Sequence, residues 1–557
     1  MLHQAVYQHQ GFAKLAQHYY AQLISRNPIM ATWLGEHNFD GLLPEIGADA
    51  VERNIAFMRE LRNAFSSLPE NDLSLDERID RRGIIHFADQ QLFNDEDLQQ
   101  WRGGRDLALN IGDAIFLLFI RDFAPFSERV KSMISRLKAV PMFLMSGKTL
   151  FQQVSIERGE MFLESAANLP IFLTTIENSI KGYVTPDLHR EFSRAAADAC
   201  EALKQFTSWL RHAILPKATA DWTIGHGAFQ ALLATRKSGL NQTELTELGQ
   251  RNLQEAASQL EALSCAILGE STGVAAGARN EACKRVRRHA PTNFDQVLKV
   301  YREAVVRTRA FISYSEFATL PGNEDLEIIE TPDYMKHIIP TTAYFGPERR
   351  SENQKGFYLL TRSETDIGVA HNYAEIANSV ILRGYPGYHL HLSAQNRHPG
   401  LLRAFIDNLE MIEGWAAYCQ DEIREKGFET ASESLFAQAD EKLRSAALML
   451  CEINLQTRAW AKEDATKFLV DQTRVEKSTA QSDIKRLIQA PTRQLNRLPG
   501  QYLLQTLKND LQRRFANDFT DRFFHDLILY EGGIPAHLAR AYFPELMQHN
   551  LKSKHRA

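Results

Sequence analysis

The side chains of this chain that are best suited to chemistry are concentrated between positions 370 and 418. The segment holds histidines at positions 371, 389, 391 and 398, and the sequence Glu-Gly-Trp at 413–415. Neutral imidazole and carboxylate groups are common zinc ligands, and they also serve as general acids and bases. The sequence separation of His389 and Glu413 is one that a helix-turn-helix can close. The segment is therefore a candidate metal or acid–base site.

The spacing of His389 and His391 limits what the two can do together. Residues two positions apart point to different sides of a helix, so both could face one ion only with irregular backbone. Pro386 and Gly387 directly precede them and make such a backbone conceivable. A hydrogen-bonded structural role remains an open alternative for His389, and a core or pocket-wall position for Trp415.

Helices must position this segment, because apolar residues recur at spacings of three and four along most of the chain. Residues 191–214 carry one such apolar face, and residues 243–268 carry another. Asn241 with Glu244 three positions later predicts a capping box at the start of the second helix. Residues 435–470 and 501–530 are also predicted to be helical.

A region between positions 321 and 366 interrupts the helical pattern. It contains several Pro and Gly turn signals and two short runs, 326–330 and 356–361, that are typical of strands. We expect these runs to pair in a small β element near 325–362.

Composition excludes several functional classes. Lys and Arg number 64 against 69 Asp and Glu, a net charge of −5, which argues against a nucleic-acid partner. No apolar run is long enough to span a membrane, and the first residues do not resemble a signal peptide. The five cysteines lie far apart, which predicts reduced thiols and a cytoplasmic location. The basic run 283–289 is predicted to be a solvated helix face.

The order of motifs along the chain resembles the bacterial "domain of unknown function 885" family, which is similar to helical zinc metallopeptidases. The matching motifs are an opening motif at 28–40, a Pro-Gly at 386–387, Glu-Gly-Trp-Ala-Ala-Tyr at 413–418 and a closing motif at 524–535. The resemblance implies one helical body around a deep central cleft, spanning 1–557, with an N-terminal half (1–268) and a C-terminal half (280–557) that carries the metal-site region.

The chain departs from this family at the reactive positions. The family's leading His falls on Leu382 and its Glu on Arg383, while the first of its paired histidines falls on Tyr388 and its final Gln on His391. Leucine has no donor atom, and an arginine cannot take a proton from water. A plausible oxyanion tyrosine is replaced by Arg497. The resemblance therefore implies a dismantled zinc site, with no cofactor and no standard zinc peptidase activity.

We expect the site to bind a small anionic or peptide-like ligand, because two arginines can hold a carboxylate or phosphate. Alternatively, Arg383 pairs with Glu413 or another acid. Two enzymatic alternatives stay open. One is a metal-independent enzyme of small-molecule metabolism that uses Tyr388, His389 or His391. The other is a zinc hydrolase with an altered ligand set. The candidate ligand-binding residues are Arg383, Tyr385, Glu413, Trp415, Arg497 and His525. The altered zinc ligand set would be His389, His391 and Glu413.

Overall fold

The chain folds mainly into α-helices, as the apolar periodicity predicts. The computed structural model describes residues 7–269, 277–331, 339, 341–362, 367–406, 408–489 and 491–554. The helices up to residue 314 are α1 (Gln10–Arg26), α2 (Pro28–Leu34), α3 (Ala48–Ser66), α4 (Leu75–Leu92), α5 (Leu107–Ile120), α6 (Phe126–Gly147), α7 (Ile156–Ile180), α8 (Pro186–Trp209), α9 (Gly225–Thr235), α10 (Gln242–Leu268), α11 (Ala278–Arg288) and α12 (Phe294–Tyr314).

The helices of the C-terminal part surround the motifs of the candidate site. They are α13 (Ile367–His371), α14 (Tyr373–Arg383), α15 (Tyr388–Gln395), α16 (Leu409–Glu425), α17 (Ser432–Gln456), α18 (Lys462–Thr473), α19 (Lys477–Gln489), α20 (Arg497–Phe515), α21 (Asp521–Tyr530) and α22 (Ala536–Lys554). No helix in the described ranges is both long enough and apolar enough to cross a membrane.

The capping box predicted for α10 is present. The Asn241 side chain accepts a hydrogen bond from the Glu244 backbone, and the Glu244 side chain accepts one from the Asn241 backbone. The two long helices predicted over 435–470 and 501–530 are each broken once. The first breaks near Arg458, whose φ of 61° is left-handed, and the second ends at Phe515 before Thr520 caps α21. These breaks are local backbone events that apolar spacing does not report.

The small β element consists of three strands, β1 (Glu324–Glu330), β2 (Thr342–Phe345) and β3 (Gln354–Leu360). The strand order is β1-β3-β2, with β1 and β3 parallel and β2 and β3 antiparallel. The two predicted strand runs therefore pair, as expected. Residues 332–338 and 340, within the predicted region, lie outside the described residues.

The sheet lies between the two largest apolar cores. One face places Tyr358 and Leu360 in the core that also contains Trp415, and the other places Leu359 in the core formed by α5 to α8. Successive strand residues point to opposite faces, so a single strand can serve both cores. The sheet thus joins the N-terminal helices to those that carry the candidate site.

Two glycines bring α16 and α20 into close contact. A Cβ atom at Gly414 would collide with the backbone of Gly500, and one at Gly500 would collide with the Glu410 carbonyl oxygen. Only glycine permits this backbone approach. The crossing lies next to Glu413 in the chain and close to Arg497, so it fixes the relative position of two candidate site residues.

Candidate functional site

The site is assembled at the ends of helices that meet around the turn 384–387. Arg383 is the last residue of α14, and Tyr388 is the first residue of α15. The indole Nε1 of Trp415 donates a 2.8 Å hydrogen bond to the Pro386 carbonyl oxygen, which ties the turn to α16. A Cβ atom at Gly387 would collide with the Leu382 carbonyl oxygen, so the turn is also tightly folded onto α14.

Tyr388 and Glu413 form the first contact of the site. The Tyr388 hydroxyl donates a short hydrogen bond to Oε2 of Glu413. Burial and the Glu413 carboxylate raise the pKa of Tyr388 well above its ordinary value. The phenol therefore stays protonated at neutral pH and acts as a donor to the carboxylate.

Arg497 is held by a second acid. Its Nη1 lies 2.7 Å from Oε1 of Glu441, and its Nη2 donates a 3.0 Å hydrogen bond to Oε1 of Gln420. Gln420 in turn donates to Glu441 at 3.2 Å. Burial raises the pKa of Glu441, but Arg497 and these hydrogen bonds outweigh burial and place the pKa below its ordinary value. Arg497 and Glu441 are thus a charged pair at neutral pH.

Arg383 makes no ion pair with Glu413 or with any other acid in the described part of the chain. The alternative that paired Arg383 with Glu413 is therefore wrong, because the Glu413 carboxylate is turned to Tyr388. Burial lowers the pKa of Arg383, but Tyr358, Glu441 and Tyr388 outweigh burial and raise it above its ordinary value. Arg383 is a permanent cation facing phenol groups.

The two histidines of α15 are buried and contact different residues. Nδ1 of His389 lies 3.1 Å from the Tyr344 hydroxyl, while its Nε2 has no hydrogen-bond partner among the described residues. His391 packs edge-on against Trp415. Burial lowers the pKa of each histidine to about 3, so both are neutral at physiological pH.

The alternative zinc set of His389, His391 and Glu413 is not assembled. Within the described ranges, the only three side chains that gather potential ligand atoms are Asp76, His398 and Glu531. This trio does not suit a metal either. Nδ1 of His398 accepts a hydrogen bond from the Gly400 backbone, so neutral His398 carries its proton on Nε2, which faces Asp76. We interpret the trio as an ion-pair network around Arg403.

Three of the residues predicted to bind a ligand are buried in the structure. Trp415 is fully buried, and Tyr385 is buried against His389. His525 uses both ring nitrogens, with Nδ1 2.7 Å from the Phe317 carbonyl oxygen and Nε2 2.9 Å from the Tyr418 hydroxyl. All three side chains are buried, and Trp415 and His525 already use their ring nitrogens in hydrogen bonds.

Two acids of the site, Glu375 and Glu441, were not predicted from the sequence. Glu375 lies two helical turns before Arg383 on α14, and this spacing on one helix face was the available signal. Burial, with Glu441 and Asp440 nearby, raises the pKa of Glu375 to about 7. Glu441 is on α17, and no sequence spacing links it to Arg497. The basic run on α11 is exposed, as predicted.

Comparison with known proteins identifies the family. The model of a family described as a bacterial protein of unknown function, DUF885, matches residues 28–541. The chain belongs to the DUF885 family. No curated protein matches the sequence.

Two solved structures share the DUF885 fold seen here. One, described as a putative lipoprotein of unknown function from Shewanella oneidensis, has a TM-score of 0.79 and 17% identity, and the match covers 96% of this chain and 99% of that chain. The other, described as a putative lipoprotein from Colwellia psychrerythraea, has a TM-score of 0.80 and 16% identity, covering 97% and 99%. At these identities the likeness shows the fold alone.

The DUF885 resemblance implies a zinc site with a histidine at 382, a glutamate as general base at 383, a histidine at 388 and Glu413 as a ligand. The residues at these positions do not fit that ion. Leu382 has no donor atom, the Tyr388 hydroxyl is bonded to Glu413, and Arg383 carries a positive charge. Of these four side chains, only the Glu413 carboxylate suits zinc.

Two cavities lie elsewhere in this DUF885 protein. One of about 700 Å³ lies between α7, α18 and α19, and one of about 200 Å³ lies near the start of α22. Neither is lined by Arg383, Tyr388, Glu413 or Arg497. The cluster of these four residues therefore lies outside both cavities.

Proposed function

We propose that this DUF885 protein binds a small anionic or peptide-like ligand at the cluster of Arg383, Tyr388, Glu413 and Arg497, and does not hydrolyse it with zinc. The observation that carries the proposal is the hydrogen bond from Tyr388 to Glu413. Through this bond the Tyr388 hydroxyl occupies the Glu413 carboxylate, the one side chain of the four that suits a metal ion. The scaffold is kept, while the hydrolytic groups are replaced.

Arg383 is the group that would recognise the anion. Among the described residues it has no ion pair, whereas Arg497 is already bonded to Glu441 and Gln420. A free guanidinium can hold a carboxylate or phosphate through two parallel hydrogen bonds. The Tyr388 hydroxyl beside it donates its single proton to Glu413, so the guanidinium of Arg383 is the donor group left for the ligand. Arg497 would then orient Glu441 rather than contact the ligand.

The metal-independent enzyme is the weaker alternative. A general base works best with a pKa near the working pH, whereas burial lowers the pKa of His389 and His391 to about 3. The pKa of Tyr388 is raised, which makes it a poor acid. If chemistry occurs here, Glu375, with a pKa raised by burial to about 7, is the better candidate base.

Two measurements test the proposal. Metal content of the untagged, dialysed protein is measured by plasma mass spectrometry, together with Glu413→Ala. About one zinc per chain that is lost in Glu413→Ala would overturn the proposal. Phosphate, glutarate and an acetylated dipeptide are then titrated calorimetrically. We expect at least one to bind and Arg383→Met to weaken it at least tenfold, while the exposed Arg493→Met does not; binding of none would also overturn the proposal.

We further propose a cytoplasmic location. All five cysteines are unpaired, which suits a reducing compartment. The two structural neighbours are described as putative lipoproteins, and this description favours a location outside the cytoplasm for those two proteins. Cell fractionation with an antibody to the native protein tests this, and recovery in the membrane fraction would contradict the proposal.

A further inference from the structure

The cavity of about 200 Å³ has two chemically different walls. One wall is apolar and consists of Met411 on α16 with Leu503 and Leu507 on α20, each nearly fully buried. The other is polar and comes from the turn 237–239 and the first turns of α22. An interior lined in this way suits a ligand with a tail and a charged head.

Two cations stand on the polar wall, Lys237 and Arg540. Arg540 forms no ion pair or side-chain hydrogen bond within the described part of the chain, and its Nη1 lies 3.7 Å from where a Cβ of Gly239 would stand. Lys237 lies 3.7 Å from Asp89, which is also 3.8 Å from Arg62. Asp89 is thus shared by two cations, and the residues that line the cavity include Lys237 and Arg540 but no acid.

Two histidines at this wall have ring nitrogens without partners: His537 lines the cavity, and His86 packs against His537. His86 is 2% exposed, and neither of its ring nitrogens has a hydrogen-bond partner among the described residues. Its ring packs edge-on against His537, with 4.5 Å between ring centroids, and Nδ1 of His537 is also without a partner. Buried polar atoms without partners are uncommon and call for an explanation. A ligand oxygen next to Nδ1 of His537 would give that nitrogen a hydrogen-bond partner.

We propose that this cavity binds a short-chain carboxylate. The carboxylate group would lie between Lys237 and Arg540, within reach of His537. The alkyl chain would lie against Met411, Leu503 and Leu507. This site shares no residue with the cluster proposed above, so the two proposals succeed or fail separately.

The volume limits the length of the ligand. At about 30 Å³ for each water-sized group, a cavity of about 200 Å³ accommodates roughly seven non-hydrogen atoms. Hexanoate, with part of its carboxylate in solvent, fits this size. Each buried methylene strengthens binding about fourfold, so hexanoate, which has two more methylenes, should bind about sixteenfold more tightly than butanoate.

Isothermal titration of the full chain with hexanoate, 1-hexanol and inorganic phosphate tests the proposal. We expect one hexanoate per chain, with affinity at least tenfold above that of either comparison compound. Equal binding of 1-hexanol would overturn the role of the cations, and equal binding of phosphate would overturn the role of the apolar wall. No binding of hexanoate would overturn the proposal entirely.

Variants locate the site. Lys237→Met combined with Arg540→Met should weaken hexanoate binding at least tenfold, and both side chains are exposed enough for the fold to tolerate the change. Arg194→Met, an exposed arginine on α8, is the matched control and should bind as the wild type does. Ala536→Leu keeps both cations but fills the cavity, and should also block binding. Unchanged binding in both cavity variants would overturn the assignment.

Discussion

The hydroxyl of Tyr388 donates a hydrogen bond to the carboxylate of Glu413, joining the first residue of α15 to the second turn of α16. A phenol in this position satisfies an acid that would otherwise need a cation or water in a largely buried place. The contact therefore explains how Glu413 can remain where two ligands expected beside it, at 382 and 388, are a leucine and a tyrosine.

Tyr388→Phe tests the energetic weight of this contact. Removal of the hydroxyl leaves the Glu413 carboxylate without its donor, and we expect a loss of about 1–3 kcal/mol in the free energy of unfolding. Urea denaturation measures the loss. Tyr314→Phe, at an 88% exposed position, serves as the control and should change stability very little. A Tyr388→Phe protein as stable as the wild type would contradict this assignment.

Rebuilding the family ligands should restore a metal site. Leu382→His, Arg383→Glu and Tyr388→His together supply two imidazoles and a base around Glu413, so the triple variant should hold about one zinc per chain. Leu382→His alone should not, because Arg383 and Tyr388 remain. Adding Glu413→Ala to the triple variant should abolish zinc binding, as measured by metal analysis. Zinc retained without Glu413 would show that this ligand assignment is mistaken.

The contribution of the Arg497–Glu441 pair to the free energy of unfolding should depend on pH. Because the folded pKa of Glu441 lies below its ordinary value, its contribution is present above pH 4–5 and is lost as pH falls through the folded pKa. Arg497→Met should cost about 1–3 kcal/mol at pH 7.

In the Arg497→Met protein the pKa of Glu441 should rise, because its burial remains and its partner is gone. The stability difference from wild type should therefore narrow as pH is lowered from 7 to 4. Urea denaturation across this range measures it. A difference that stays constant with pH would argue against the charged pair.

Glu452 should affect the pH dependence of stability in the opposite direction to Glu441. Burial raises its pKa to about 8, and its Oε1 has no hydrogen-bond partner among the described residues. A raised carboxyl pKa costs stability as pH rises from the unfolded value through the folded one. Glu452→Gln should therefore match wild type at pH 5 and exceed it by at least about 1 kcal/mol at pH 9. The exposed Glu255→Gln provides the control, and equal effects of the two substitutions at pH 9 would refute the buried-acid account.

The crossing of α16 and α20 should tolerate no side chain at Gly500. A Cβ there collides with the Glu410 carbonyl oxygen, so Gly500→Ala should destabilise the fold by roughly 2–4 kcal/mol. Gly227→Ala is the matched control, since its Cβ would meet no atom within 4 Å and alanine favours helices. Thermal unfolding compares the two. Similar stabilities would mean that the helices can separate at little cost.

Apolar periodicity and cap signals were sufficient to predict the helical class and the faces of α8 and α10, and turn signals around two strand-like runs predicted the pairing of β1 with β3. These are local properties, since a helix face or a capping box is formed by residues within a few helical turns of one another in the sequence. Helix breaks such as that at Arg458 were missed, because a single left-handed residue leaves the apolar spacing unchanged. The composition of the site was predicted in part: Tyr388, Glu413 and Arg497 lie together, but His525, Trp415 and Tyr385 serve the core.

The sequence by itself determined which groups this protein lacks. Leu382 and Arg383 exclude the expected imidazole and base at their positions in any conformation, because side-chain chemistry does not depend on folding. Only the tertiary structure decided the partners of the charges that remain. Whether Glu413 meets Arg383 or Tyr388, and whether Arg497 meets Glu441, depends on how α14, α16, α17 and α20 pack. Those contacts join residues far apart in the chain, and no local pattern encodes them.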